Sequence, residues 1–222
     1  MPLVKFCGLT RAEDAAVAAG LGAVYAGVIF AGGPRLLTAE RAAGVLEPLP
    51  PAVRRVGVFG AQRPDEIAAI VARAGLDVVQ LHATRSMEEL AAVRRTVPAR
   101  IELWAVARVE GGALGSDQMA LATMADALVV DALVPGQLGG TGVATDWEAL
   151  AGALRRIGRP GKFVLAGGLR PENVARAAAL LQPDVLDVSS GVESSPGVKD
   201  HERMTAFARA ARAPQPATQH QA

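Results

Sequence analysis

Eight short apolar, β-branched runs recur along this chain, and nearly every one is followed by a longer stretch with helical spacing. The runs occupy residues 3–7, 24–30, 55–59, 78–82, 101–109, 127–131, 162–166 and 185–189. Between them, helix ends are marked by local chemistry. Thr10 with Glu13 and Ser86 with Glu89 have capping-box spacing. Asp146 precedes 147–157 as an N-cap, and Pro171 suits the first turn of a helix over 172–181. Gly75 stops a helix over 65–74, and Asp200 caps a last helix through Ala211. Strands alternating with helices predict βαβ units and a parallel sheet. Eight such units predict the α/β class and a closed (β/α)8 TIM barrel, somewhat below its usual ~250 residues. An open doubly wound sheet is the rival, but it carries a glycine fingerprint after its first strand. Here that turn reads Cys7-Gly8-Leu9-Thr10. We therefore expect one barrel domain over residues 1–212. Residues 213–222 carry no apolar face and are expected to form a disordered tail.

Composition excludes several classes of function. At 222 residues and 50% hydrophobic, the chain can bury one large core. Its net charge of +1, with both signs interspersed, offers no basic stripe for nucleic acid. No apolar run reaches the ~18 residues of a membrane span. The N-terminus has no signal-like segment, and a single cysteine precludes an internal disulfide. Together these predict a cytoplasmic protein.

The active site of such a barrel lies at the carboxyl ends of its strands, so the strand tips carry the search. Cys7 ends the first strand beside Gly8. Strand alternation puts Lys5 on the same face, where an ammonium favours the thiolate. A lone cysteine is also commonly a small buried hydrophobe. Asp131 ends the apolar run 127–130, where lost solvation raises a carboxyl's pKa and suits it to general acid work. Its alternative, a turn or cap residue, fits poorly with the long glycine-rich stretch that follows. Gly139–Gly142, Gly167-Gly168 and Ser189-Ser190-Gly191 fall in late loops, where exposed N–H groups at helix entrances bind anions. Many barrels hold phosphate after strands seven and eight. Arg35 follows Gly32-Gly33-Pro34 and could grip a carboxylate through two parallel hydrogen bonds, although most arginines are simply solvated. Gln80 and His82 face inward on strand four. With no second histidine at ligand spacing, His82 reads as a polar core group and no metal site is expected. His201 and His220 read as surface and tail.

In order along the chain, several segments resemble the phosphoribosylanthranilate isomerase family: 4–10 (VKFCGLT), 27–30 (GVIF), Pro34-Arg35, 79–82 (VQLH), Asp131, 139–142 (GGTG) with Asp146-Trp147, 165–169 (LAGGL), and 187–193 (DVSSGVE) followed by Gly197 and Lys199-Asp200. The resemblance runs from residue 3 to about 211. It implies the conversion of N-(5-phosphoribosyl)anthranilate to its 1-deoxyribulose isomer, an Amadori rearrangement in tryptophan biosynthesis, with no cofactor and no metal. It also implies Cys7 as general base, Asp131 as general acid and Arg35 as the grip on the anthranilate carboxylate. Asp187 would order the substrate. Gly168 and Ser189, Ser190 and Gly191 would hold phosphate, with Gly140, Gly142 and Gly167 completing the substrate-binding set. Two departures stand out: Gly33 occupies a position where serine is usual, and Ala83 one where glycine is usual. The expected partner is a small phosphorylated substrate, with no nucleic acid or membrane, for a monomer or homodimer. Two rivals remain open. One is a histidine-pathway phosphosugar isomerase, which typically carries aspartate where Cys7 stands. The other is a catalytically silent phosphate-binding barrel, which would need neither Cys7 nor Asp131.

Overall fold

A computed structural model of the chain describes residues 1–82, 86–109, 114–131, 147–157 and 161–213. Asp146, the glycines of 139–142, Ala83 and residues 214–222 lie outside the described residues. The elements follow the order expected of an α/β barrel. They are β1 (Leu3–Phe6), α1 (Ala12–Gly20), β2 (Tyr25–Ile29), α2 (Ala39–Leu46), β3 (Arg54–Phe59), α3 (Pro64–Ala74), β4 (Val78–Leu81) and α4 (Met87–Thr96). Then come β5 (Glu102–Arg108), α5 (Ser116–Leu121), β6 (Ala127–Asp131), α6 (Trp147–Ile157), β7 (Phe163–Ala166), α7 (Val174–Leu181) and β8 (Val185–Val188). A 3-10 turn (Ser190–Val192) leads into a hairpin of β9 (Glu193–Ser195) and β10 (Val198–Lys199), and α8 (His201–Ala211) ends the fold.

The first eight strands form a closed parallel barrel in chain order. Closure comes from β1 against β8, with Leu3 opposite Val185 and Lys5 opposite Asp187. Alternation then produces two cores. Residues such as Phe6, Val28, Phe59, Leu103, Leu128 and Leu186 point outward and bury against the helices. Tyr25, Val56, Val78, Trp104, Val129, Val164 and Val185 fill the barrel interior. At one end of the barrel Tyr25 meets Trp104 edge-on with ring centroids 4.8 Å apart, so the interior is plugged. Toward the strand tips, polar Lys5, Gln80 and Asp187 are buried among the inward positions.

Helix ends separate the local signals that held from those that tertiary contacts overrode. Ser86 Oγ accepts from the N–H of Glu89, Gly75 takes the left-handed conformation after α3, and Asp200 accepts from the N–H groups of Glu202 and Arg203. The capping box at Thr10 does not form. Helix α1 begins after Arg11, whose side chain makes no capping bond. Thr10 instead donates its hydroxyl to the Gly197 carbonyl in the β9–β10 turn, so a contact 187 residues away displaces the local cap. Pro171 also lies outside its helix, because α7 starts only at Val174. Asn173 closes the preceding turn, accepting from Arg170 N and donating to Gly168 O.

Candidate active site

The strand tips converge on a cavity of about 150 Å³ whose walls include Cys7, Gln80, His82, Asp131 and Asp187. Its rim is completed by Gly167–Leu169 after β7 and Ser189–Gly191 after β8. Cys7 stands one residue past β1, yet its N–H still donates to Val188 O at 2.8 Å, so the sheet ladder holds its backbone. Asp131 is the last residue of β6, and its carbonyl accepts from Val109 N at 3.0 Å. Around the barrel, β7 and β8 separate these two tips. The two glycine-rich loops therefore sit between the thiol and the carboxyl.

Beneath the cavity lies a buried polar cluster. Lys5 is fully buried, and its ammonium donates to Asp187 Oδ2 at 2.6 Å and to Gln80 Oε1 at 3.0 Å. Gly27 makes room for it: a Cβ there would lie 2.9 Å from Cys7 Sγ and 3.4 Å from Lys5 Cε. Burial alone would push the Lys5 ammonium down, but Asp187 and Cys7 outweigh it and the net shift is up. For Cys7 the balance differs from the sequence expectation. Burial pushes the thiol up, Lys5 pulls it down, Asp187 pushes it up again, and the net shift is up. Desolvation of a small buried anion wins over one nearby cation. Asp187 Oδ1 and Ser189 Oγ are buried without a hydrogen-bond partner. Both residues line the cavity. Leaving a buried acceptor unmet costs ~1–3 kcal/mol, so these atoms mark places for a ligand's donors.

Arg35 arches over Gly8, whose φ is +69°; a Cβ there would lie 2.6 Å from Arg35 Cδ and 2.8 Å from Ser189 Oγ. The arginine's fork is already engaged. Its Nε donates to Glu193 Oε1 at 2.8 Å and its Nη2 to Glu193 Oε2 at 2.6 Å. Lys199, itself buried, donates to Glu193 Oε1 at 2.8 Å and to Ser189 O at 3.1 Å. Burial would raise the Glu193 carboxyl, but the hydrogen bonds from Arg35 and Lys199 hold it below its ordinary value. Sequence reasoning passed over Glu193 and Lys199. Both stood within the quoted motifs, but neither a heptad nor an alternation links Glu193 to an arginine 158 residues away. Gly33 has φ +80°, a conformation that strains a serine, so this loop's path to Arg35 goes with the glycine found here.

Gly167 and Gly168 both adopt positive φ, 87° and 64°. Gly191 packs directly on the previous loop, since a Cβ there would fall 1.9 Å from Leu169 O. The loops after β7 and β8 thus form one backbone-to-backbone unit, at the place where barrels commonly bind phosphate. His82 lines the opposite side of the cavity. Burial and Arg108 push its imidazole down, with Asp131 pulling the other way. His201, read as surface, is exposed but bonds through Nε2 to buried Asp14 at 2.8 Å. Gly140 and Gly142 lie outside the described residues. Among the described residues, no three His, Cys, Asp or Glu side chains cluster as metal ligands, and no helix is long and apolar enough to cross a membrane.

Comparison with known proteins gives a consistent answer. The family model for N-(5'-phosphoribosyl)anthranilate (PRA) isomerase matches residues 4–210. The N-(5'-phosphoribosyl)anthranilate isomerase of Paracoccus denitrificans is 43% identical over 220 residues, covering 95% of this chain and 97% of the relative. The crystal structure of phosphoribosyl anthranilate isomerase from Thermotoga maritima superposes with a TM-score of 0.83 at 32% identity, over 96% of this chain and 100% of that one. A phosphoribosyl anthranilate isomerase crystallised with reduced 1-(o-carboxyphenylamino)-1-deoxyribulose 5-phosphate superposes with a TM-score of 0.79 at 31% identity, over the same shares. With the family matched across nearly the whole barrel, strand tips included, this chain belongs to the N-(5'-phosphoribosyl)anthranilate isomerase family.

Proposed function

We propose that the chain isomerises N-(5-phosphoribosyl)anthranilate to 1-(2-carboxyphenylamino)-1-deoxyribulose 5-phosphate in tryptophan biosynthesis, with Asp131 as general acid and Cys7 as general base. The observation that supports this reading is that Cys7 and Asp131 line one cavity, with the joined glycine loops of β7 and β8 between them. The phosphate sits against Gly167, Gly168, Ser190 and Gly191, and Arg35, which lies over Gly8 beside Ser189, takes the anthranilate carboxylate. Because two of its donors already bind Glu193, Arg35 meets that carboxylate through its remaining guanidinium hydrogens rather than through its Nε/Nη2 fork. Glu193 fixes the fork's direction. Asp187 Oδ1 and Ser189 Oγ, unpartnered, accept from or donate to the sugar hydroxyls.

The chemistry then runs in three balanced steps. The anthranilate nitrogen's lone pair forms C1=N as the bond from C1 to the ring oxygen breaks, and that oxygen takes the Asp131 proton. The Cys7 thiolate removes the proton on C2; the C2–H pair becomes C1=C2, and the C=N pair returns to nitrogen. C1 of the enolamine is then protonated while the C2 hydroxyl loses its proton, which gives the ketone and restores both groups. The cationic iminium beside the sulfur favours the thiolate just when the base is needed. No oxidant or reductant enters.

The direct test is turnover of freshly generated phosphoribosylanthranilate, followed by loss of anthranilate fluorescence. Phosphate binding without turnover would replace this reading with the silent barrel. Isomerisation of the histidine-pathway aminoaldose alone would point to the other rival.

A further inference from the structure

The barrel interior around the Tyr25–Trp104 plug is built largely from valines, with Glu102, Lys162 and Arg54 paired at the Trp104 indole on the side away from the cavity. On the cavity side, Lys5 is fully buried. An ammonium taken out of water is costly unless it is paired and hydrogen-bonded. Lys5 meets that condition with two ligands, Asp187 Oδ2 and Gln80 Oε1. An ammonium has three donors. The third is left for Cys7, whose charge acts on Lys5. The geometry around Gly27 agrees, since Cys7 Sγ and Lys5 Cε both press on the space its missing side chain leaves.

We propose that Lys5 is a positioning residue for the reaction: from beneath the cavity floor its ammonium clamps Asp187, which leaves Oδ1 facing the substrate, and stabilises the anionic form of Cys7. This rests on the reading of Cys7 as the base. The charged groups around Cys7 are Lys5 on its own strand, Asp187 on β8, Lys199 on β10 and Arg35 after β2. Arg35 and Lys199 are both bound to Glu193. Across the cavity, His82 feels Lys5, Asp187, Asp131 and Arg108. Among the charges on Cys7, Lys5 acts most strongly and opposes Asp187. A lysine serving only to fill the barrel would be replaceable by an apolar chain of the same length with no effect on the thiol.

Lys5→Met provides that replacement. Cys7 is the chain's only cysteine, so thiolate ultraviolet absorbance and the rate of iodoacetamide alkylation both report on it alone. We expect the thiol's titration midpoint in Lys5→Met to rise by about one to three pH units, with kcat near neutral pH falling as the thiolate fraction falls. A midpoint equal to that of the parent protein, with only the melting temperature lowered, overturns the proposal. If Lys5→Met fails to fold, the doubly neutral Lys5→Met/Asp187→Asn variant is read the same way. It loses the opposing anion as well, so its midpoint should lie above the parent's by a smaller margin, and an unchanged or lower midpoint again refutes the role. Cys7→Ala separates the two layers of the argument. Full turnover in that variant would remove the base assignment while leaving the Lys5–thiol titration result standing.

Discussion

Gly191→Ala is the sharpest probe of the anion site, because the substitution keeps the backbone N–H and changes only space. The added Cβ would lie 1.9 Å from Leu169 O, 3.0 Å from Leu169 C and 3.1 Å from Arg170 Cγ. Carbon and oxygen sit comfortably no closer than ~3.3 Å. The loops after β7 and β8 must therefore part by roughly 1.4 Å (3.3 less 1.9), and the obstructing atom is backbone, which cannot swing aside. Overpacking of this kind costs ~1–3 kcal/mol. At ~2–4 °C per kcal/mol for a domain of this size, the melting temperature should fall by about 2–12 °C. The functional effect should exceed the stability effect, since donors spaced for one phosphate no longer converge. Losing one charge-assisted hydrogen bond costs ~1.5–3 kcal/mol, so the competitive inhibition constant of inorganic phosphate should rise at least about tenfold. Gly44→Ala is the control. It lies exposed within α2 with nothing within 4 Å of the new Cβ, and replacing a helical glycine should add ~0.5–1 kcal/mol of stability. Phosphate inhibition would be untouched. Gly191→Ala with parental melting and parental phosphate inhibition would refute both the loop contact and the anion site.

Cys7→Ala should abolish turnover while substrate affinity stays within about tenfold, and retention of even a tenth of kcat would remove Cys7 as the base. In the free parent enzyme burial raises the thiol above its ordinary 9.0, so alkylation of Cys7 should climb with pH and reach its midpoint on the alkaline side of that value. Asp131→Asn keeps shape but has no transferable proton; kcat should drop at least about a hundredfold with KM nearly constant, and normal turnover would move the acid role to another carboxyl, Asp187 first. Glu193 is held below its unfolded value of 4.5; its contribution to stability is therefore complete above that pH and lost as pH falls through the folded value. Glu193→Gln should flatten this acid limb of the melting curve and, by leaving Lys199 buried without its anion, cost ~3–5 kcal/mol near neutrality; an acid limb identical to the parent's would show that the pair contributes nothing.

Much of the molecule is legible in its sequence. The eight strands and their order are local facts, because alternation of inward and outward side chains needs only consecutive residues. Once the strands close into a barrel, their tips must face one cavity, and that alone places Cys7, His82, Asp131 and Asp187 together. The departures came where a distant contact outweighed a neighbour. Thr10 gave up its cap for Gly197, 187 residues on, and α7 waited for Asn173 to close its turn onto Gly168. Nothing in the spacing of residues announces that Lys5 meets Asp187 or that Arg35 spends its fork on Glu193. Those pairs exist only because β1 closes against β8 and the β9–β10 hairpin folds back over the loop after β2. The direction of the Cys7 shift belongs to the same level. A neighbouring lysine was readable from alternation, but the depth of burial that outweighs it is a property of the closed barrel.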